Sequence, residues 1–159
     1  MTDPNIQRLL DERELESVPA APDEVADYWR KALRAYADSR IESLSPENAM
    51  LLAYQSGLSA ATAAIRASGL RVKSRNRHHY MSFYTLAVLG TGTDVRALAR
   101  EMDELRDDRH AAGYSSGVDE AQLRKKLAGM HELLGKLLPA VRSWLLAHRS
   151  DLADLPRPA

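Results

Sequence analysis

The densest group of polar side chains in the sequence is the segment LRDDRHAAGY, residues 105–114. On a helix, Arg106 and His110 lie one turn apart, and Arg109 lies on the buried side of the same turn. Two guanidinium groups can bind a phosphate while an imidazole exchanges a proton near neutral pH. Arg106, Asp107 and His110 are therefore candidate catalytic residues for metal-independent RNA cleavage, and Arg109 is a candidate binding residue.

The same charged run also has a purely structural interpretation. Asp107 and Asp108 can pair with the neighbouring arginines, or with other helices, and form a solvated network at the end of a bundle. Arg109 points inward in the helical pattern, and an inward arginine needs a partner because burying a lone charge is costly. The spacing alone leaves the catalytic and the structural interpretation open.

A second polar cluster is RVKSRNRHHY, residues 71–80, which we call the basic connection. A basic stretch beside an aromatic ring can hold phosphates and stack a base, although such loops also occur merely for solubility. His78 and His79 point in different directions on a helix, and no third ligand stands at helical spacing, so we expect no metal site. The candidate binding residues of this segment are Arg71, Lys73, Arg75, Arg77, His78 and His79.

Several function classes are excluded by what the sequence lacks. It has no cysteine, and therefore no disulfide, thiolate zinc site or cysteine nucleophile. It has no glycine-rich phosphate loop, HExxH helix, EF-hand loop or nucleophile elbow, so no cofactor is predicted. Basic and acidic residues number 22 each, which confines any nucleic-acid contact to a local patch. No stretch approaches the roughly 20 apolar residues of a membrane span and no signal-peptide core is found, so we expect a cytoplasmic protein.

Helical periodicity organises the chain around these two clusters. Ala, Leu, Arg and Glu dominate the 159 residues, which favours a single all-α domain. We expect residues 1–22 to form a short helical arm and a linker, and residues 23–150 to form a bundle of four to five helices. Residues 151–159 are expected to be a flexible tail.

Individual residues predict where these helices begin, end and pack. Asp3 and Ser45 each precede a proline and are predicted N-caps, and Gly69 is predicted to end a helix in a left-handed conformation. Gly57 lies on an alanine-rich helix surface and predicts close packing against a partner helix. Pro139 predicts a kink or a break in the last helix.

The order of these segments resembles the HEPN superfamily over residues 23–149. The segments are the helix LLAYQSGLSAATAAIRASG, the connection GLRVKSRNRHHY, a short aromatic helix, and LRDDRHAAGY before a long terminal helix. In small prokaryotic HEPN proteins, a glycine-arginine-histidine connection follows a two-helix hairpin, and an arginine-to-tyrosine motif ends the fourth helix. The matching residues here are Gly69, Arg71, His78 or His79, and Arg109 with Tyr114.

The resemblance implies an antiparallel up-and-down bundle of four or five helices, usually a homodimer and often paired with a nucleotidyltransferase-like antitoxin. It implies a protein of a toxin–antitoxin or defence system that binds RNA or a nucleotide. Many members are ribonucleases whose motif runs from an arginine and a polar residue to a histidine. Aligned on Arg106 and Asp107, this sequence places His110 one residue early. The alternatives are a catalytically inactive HEPN subunit for binding or dimerisation, and an unrelated helical protein-interaction module.

Overall fold

The computed structural model describes residues 3–73, 77–105 and 119–159, and this part of the chain is mostly helical. Its helices are α1 (Pro4–Asp11), α2 (Pro22–Ser39), α3 (Pro46–Ala67), α4 (His78–Leu89), α5 (Asp94–Glu104) and α6 (Glu120–His148). Two short strands, β1 (Leu15–Ser17) and β2 (Leu70–Val72), pair with each other, and a 3-10 turn at Ser150–Leu152 follows α6. The all-α class predicted from composition is confirmed.

The helix boundaries follow from local capping. The Asp3 carboxylate accepts a hydrogen bond from the backbone N–H of Asn5 at 2.7 Å, and the Ser45 hydroxyl accepts one from that of Asn48 at 3.3 Å. Proline follows both caps, at positions where its missing N–H removes no helical hydrogen bond. Gly69 has a φ of 73° just after α3, the left-handed conformation that glycine adopts without strain. These three predictions are confirmed.

Helix α3 is the centre of the molecule, because it packs against α2, α4, α5 and α6. Its alanines at positions 53, 60, 61, 63 and 64 are completely buried, which suits a helix enclosed on most sides. A Cβ added at Gly57 would lie 2.9 Å from Cε of Met102 on α5, so the predicted close helix approach is confirmed. This central helix carries the polar residues described below.

The amino-terminal segment differs from the single short helix expected from its sequence. Helix α1 ends at Asp11, Arg13 takes a left-handed φ of 60°, and the chain then enters β1. Strand β1 pairs antiparallel with β2 and buries Leu15 beside Ile6 and Leu9. The strand was not predicted, because it depends on a partner more than 50 residues away, which helical periodicity does not reveal.

The carboxyl-terminal segment also differs from expectation, because it packs on the bundle and does not fray. Leu152 and Leu155 are buried, and the indole N–H of Trp29 donates to the carbonyl of Pro156 at 2.8 Å. The segment that was expected to be a flexible tail therefore has defined contacts with the bundle. Pro139 was predicted to kink or break the last helix, and α6 continues through it as one element without a break.

Candidate functional site

The sequence-predicted site residues fall into two groups. The arginine–histidine cluster and one residue of the basic connection lie outside the described part of the chain, namely Arg75, Arg106, Asp107, Arg109, His110 and Tyr114. Their predicted roles stay predictions. The described residues of the basic connection are Arg71, Lys73, Arg77, His78 and His79.

A cleft of about 380 Å³ opens between α2, α3, β2 and α4. Two of the predicted binding residues line it, Arg71 from β2 and His78 from the start of α4. Its volume lies in the range of small-molecule sites, about 300–1,000 Å³. Helices α2 and α3 supply most of its further polar and charged side chains, which are Glu24, Tyr28, Lys31, Gln55, Ser59, Thr62 and Arg66, and α4 supplies Ser82.

The floor of the cleft is a polar stripe on α3. Its members are Gln55, Ser59, Thr62 and Arg66, which follow one another at steps of four, three and four residues and therefore share one helix face. The amide of Gln55 donates to the Ser59 hydroxyl at 3.2 Å, and the Thr62 hydroxyl donates to the carbonyl of Leu58. Sequence reasoning missed this stripe, although it was visible as a periodic interruption of an otherwise apolar helix.

Arg66 belongs to the framework of the cleft. Its side chain is 6% exposed and forms a bidentate pair with Glu24, with both nitrogen–oxygen distances at 3.1 Å. Its other donors bind the backbone carbonyls of Val18, Pro19 and Leu70. The hydrogen bond from Arg66 holds the pKa of Glu24 below its usual value. Because all five guanidinium N–H groups are used, Arg66 has none left for a ligand.

Arg71 is oriented by the two-stranded sheet. It stands opposite Glu16 in the strand register, and its Nε donates to the Glu16 carboxylate at 2.6 Å. More than half of the Arg71 side chain nevertheless remains exposed. The strand pairing therefore fixes the arginine at the rim of the cleft and leaves part of its surface accessible.

Helix α2 contributes a cation that sequence reasoning did not select. Lys31 is exposed, lines the cleft and forms no ion pair within the described ranges. Tyr28, half-buried, lies three residues earlier on the same helix face. An ammonium group, a guanidinium group, an imidazole and an aromatic ring thus surround one cavity, a set that can hold a phosphate attached to a planar ring.

The other described residues of the basic connection lie elsewhere. Arg77 lies over the ring of Tyr80, 5.1 Å from its centroid, and lines a separate crevice. His79 packs against Tyr54 with ring centroids 5.4 Å apart, and Lys73 is exposed away from the cleft lining. Of the five described residues predicted as one binding segment, two therefore share the cleft.

A second groove, of about 450 Å³, lies between α4 and α5. It is lined by the stacked pair Tyr80 and Tyr84 and by charges of both signs. The charged residues are Asp3, Arg96, Arg100, Asp103 and Glu104. Since the carboxylates outnumber the guanidinium groups, this groove is less suited than the cleft to a phosphate.

No protein-family model, no curated protein and no solved structure matches the chain. Within residues 3–73, 77–105 and 119–159, no three His, Asp or Glu side chains come close enough together to hold a metal ion. In the same ranges no helix combines the length and the apolar character needed to cross a membrane.

Proposed function

We propose that this protein binds a nucleotide, free or as part of an RNA strand, in the cleft between α2, α3, β2 and α4. One observation carries the proposal. Arg71 and His78, which the sequence marks as phosphate-binding candidates, line the same cavity as Lys31, a cation without an ion pair in the described ranges. Charged hydrogen-bond donors that converge on one cavity are the ordinary means of holding a phosphate.

The residues that line the cleft include groups suited to the phosphate and groups suited to the base of a nucleotide. Lys31 and Arg71 supply positive charge for the phosphate, while Gln55 and Thr62 offer an amide and a hydroxyl. The ring of Tyr28 offers a face on which a base can stack, a contact that is nearly independent of base identity. The proposal therefore predicts recognition of phosphate together with a planar ring, and little discrimination among bases.

The proposal extends to the family and its assembly. We place the chain with the HEPN-type helical bundles of toxin–antitoxin or defence systems, acting as a homodimer or beside a nucleotidyltransferase-like antitoxin. The support is the all-α class and the order of alanine-rich α3, basic connection, aromatic α4 and long α6. The alternatives are an inactive HEPN subunit and an unrelated interaction module, and the latter predicts no affinity for nucleotides.

Equilibrium binding tests the proposed site. A fluorescein-labelled single-stranded RNA is titrated with protein, and adenosine monophosphate and inorganic phosphate are then added as competitors. Lys31→Glu should weaken RNA binding about tenfold, a loss of about 1.4 kcal/mol, because it replaces an attraction with a repulsion. The matched control is Lys125→Glu on the exposed side of α6, which changes the net charge equally and should leave affinity nearly unchanged. Equal losses in both variants would rule out this cleft.

Tyr28→Ala tests the contribution of base stacking separately from that of phosphate binding. Loss of the ring should reduce competition by adenosine monophosphate, since stacking contributes about 1–3 kcal/mol, and should leave competition by inorganic phosphate unchanged. If adenosine monophosphate binds as tightly as the RNA oligonucleotide, the result would favour a free nucleotide as the ligand. A much higher affinity for the oligonucleotide would favour RNA. No binding of any of these ligands would contradict the proposed function.

RNA cleavage is a separate part of the proposal and depends on Arg106, Asp107 and His110. If these residues act together, the purified protein should cut single-stranded RNA in the presence of a metal chelator. His110→Ala should abolish cutting and leave the helical circular-dichroism signal intact. A fully active alanine variant would remove the catalytic role and leave the protein as a binding subunit.

A further inference from the structure

Strand β1 and the residue just before it place carboxylates beside arginines of the basic connection. Glu16 stands opposite Arg71 and accepts its Nε–H at 2.6 Å. Glu14 lies two residues before Glu16, and its carboxylate oxygen is 3.8 Å from a guanidinium nitrogen of Arg77. Two of the arginines that the sequence offers to a phosphate are therefore already paired with carboxylates from the same chain.

The backbone fixes this pairing along the described start of the basic connection. The N–H of Lys73 donates to the carbonyl of Glu14 at 2.9 Å, and the N–H of Val18 donates to the carbonyl of Gly69 at 2.9 Å. These bonds flank the three-residue β1–β2 ladder on both sides. A register shift by one residue would turn Glu16 to the other face of the strand, so the ladder selects which carboxylate meets Arg71.

The arm that carries these carboxylates is attached through its own small apolar cluster. Ile6, Leu9 and Leu15 pack there against residues of α3, β2 and α4, apart from the main core. Helix α1 has eight residues, too few to be stable alone, so the arm depends on this cluster, on the strand pairing and on hydrogen bonds such as that from Arg8 to the Tyr84 hydroxyl. The carboxylates and the surface they cover are thus joined by a limited set of contacts.

We propose that the amino-terminal arm is an internal competitor of the phosphate ligand. This inference rests on the proposed function and concerns the regulation of the same site. Carboxylate and phosphate bind a guanidinium through the same charged hydrogen bonds, so Glu16 occupies Arg71 donors that a phosphate would use. Of the cleft cations, Arg66 is saturated by protein acceptors and Arg71 is shared with Glu16, which leaves Lys31 as the uncompensated charge in the described lining.

The test neutralises the competing carboxylates in the full chain. The double variant Glu14→Gln with Glu16→Gln preserves the side-chain size and removes both negative charges. The new amide groups can still form hydrogen bonds with neighbouring residues. It should bind labelled single-stranded RNA about two- to fivefold more tightly than the wild type at low salt, the effect of about 0.5–1 kcal/mol for Arg71, the one freed guanidinium that lines the cleft. The gain should shrink as salt is raised.

The matched control is Glu120→Gln with Glu132→Gln on α6, where both carboxylates also pair with basic side chains. It changes the net charge by the same amount, and a gain equal to that of the arm variant would overturn the inference. If the arm variant is poorly folded by circular dichroism, the single variant Glu16→Gln carries the test. Wild-type binding that Lys31→Glu weakens, together with an unchanged affinity in the arm variant, overturns the competitor role alone. Absence of binding in every variant overturns the proposed function and this inference together.

Discussion

At the scale of single residues, Arg66 shows how a buried charge is made tolerable. A lone guanidinium in the interior would cost several kcal/mol, but here every donor has an acceptor on α2, on the linker after β1 or on β2. The same residue joins three segments that are far apart in sequence. Its burial could not be predicted, because it depends on acceptors that only the folded chain brings together.

Replacing Arg66 by methionine should lower the free energy of unfolding by about 2–4 kcal/mol. The substitution leaves three backbone carbonyls without their donor and Glu24 without its partner, and the half-exposed position of Glu24 keeps the loss below the upper end of the range for buried pairs. The control is Arg30→Met on α2, whose pair with Asp27 is exposed and should contribute less than about 0.5 kcal/mol. Urea denaturation measures both, and equal values for the two variants would contradict the framework role.

His131 on α6 is a second residue whose environment determines its hydrogen bonding and its pKa. The Ser39 hydroxyl donates to the carbonyl of Tyr36 at 2.7 Å, so it accepts from the His131 Nε2–H, 3.1 Å away. Burial lowers the pKa of His131, a hydrogen bond to the backbone of Ser39 opposes this effect, and the positive charge of Arg40 lowers the pKa further. The imidazole therefore donates to the serine and is not placed to activate it as a nucleophile.

The lowered pKa of His131 gives stability a defined pH dependence. Below about pH 6.5 the unfolded chain takes up the proton more readily than the folded one, so the free energy of unfolding should fall as the pH is lowered from there. His131→Gln retains an N–H donor for Ser39 and removes the titration. Denaturation at a series of pH values should show a smaller acid loss in the variant, and identical slopes would refute the assignment.

At the scale of elements, the helices were predictable and the strands were not. Capping at Asp3 and Ser45 is a local signal, and it located the starts of α1 and α3. Strands β1 and β2 have three residues each and exist because Leu15 and Leu70 are buried in the same small cluster. The split of the basic connection follows from β2, which directs Arg71 to the cleft while Arg77 lies beyond it.

The contact between α3 and α5 can be tested with two glycines in helices. Gly57→Ala would bring a Cβ within 2.9–3.1 Å of Met102, whereas Gly129→Ala on α6 meets no atom within 4 Å. Both changes gain helix propensity of about 1 kcal/mol, but only the first also overpacks the core. Gly57→Ala should therefore be less stable than Gly129→Ala by about 1–3 kcal/mol in urea denaturation. Equal stabilisation by the two variants would contradict the close packing.

At the scale of the whole molecule, both ends of the described chain fold back onto the bundle. The arm packs against α4 and β2, and the tail packs against α2 through Trp29 and against α6 through Arg142, which donates to the carbonyl of Leu155. The tail sequence is polar and proline-rich, and its burial was not predictable because Trp29 and Arg142 need acceptors that no local pattern announces. The cleft likewise joins residues from four elements, of which sequence reasoning selected two residues.

The packed tail predicts that a substitution near the end of the chain affects global stability. Leu155→Ala should lower the free energy of unfolding by about 2 kcal/mol, since it removes a buried side chain close to the surface of the core. Arg157→Ala, at an exposed position two residues later, should have little effect. Thermal and urea denaturation would show this difference, and two equally silent substitutions would restore the interpretation of a frayed tail.

The most direct test of the central claim, that the cleft is the ligand site, is a nuclear magnetic resonance titration of the isotopically labelled protein with adenosine monophosphate. The claim predicts saturable shifts of the backbone amides around the polar stripe of α3, around Lys31 and in β2, and their loss in Lys31→Glu. Shifts confined to the groove between α4 and α5, or no shifts at millimolar ligand, would contradict it.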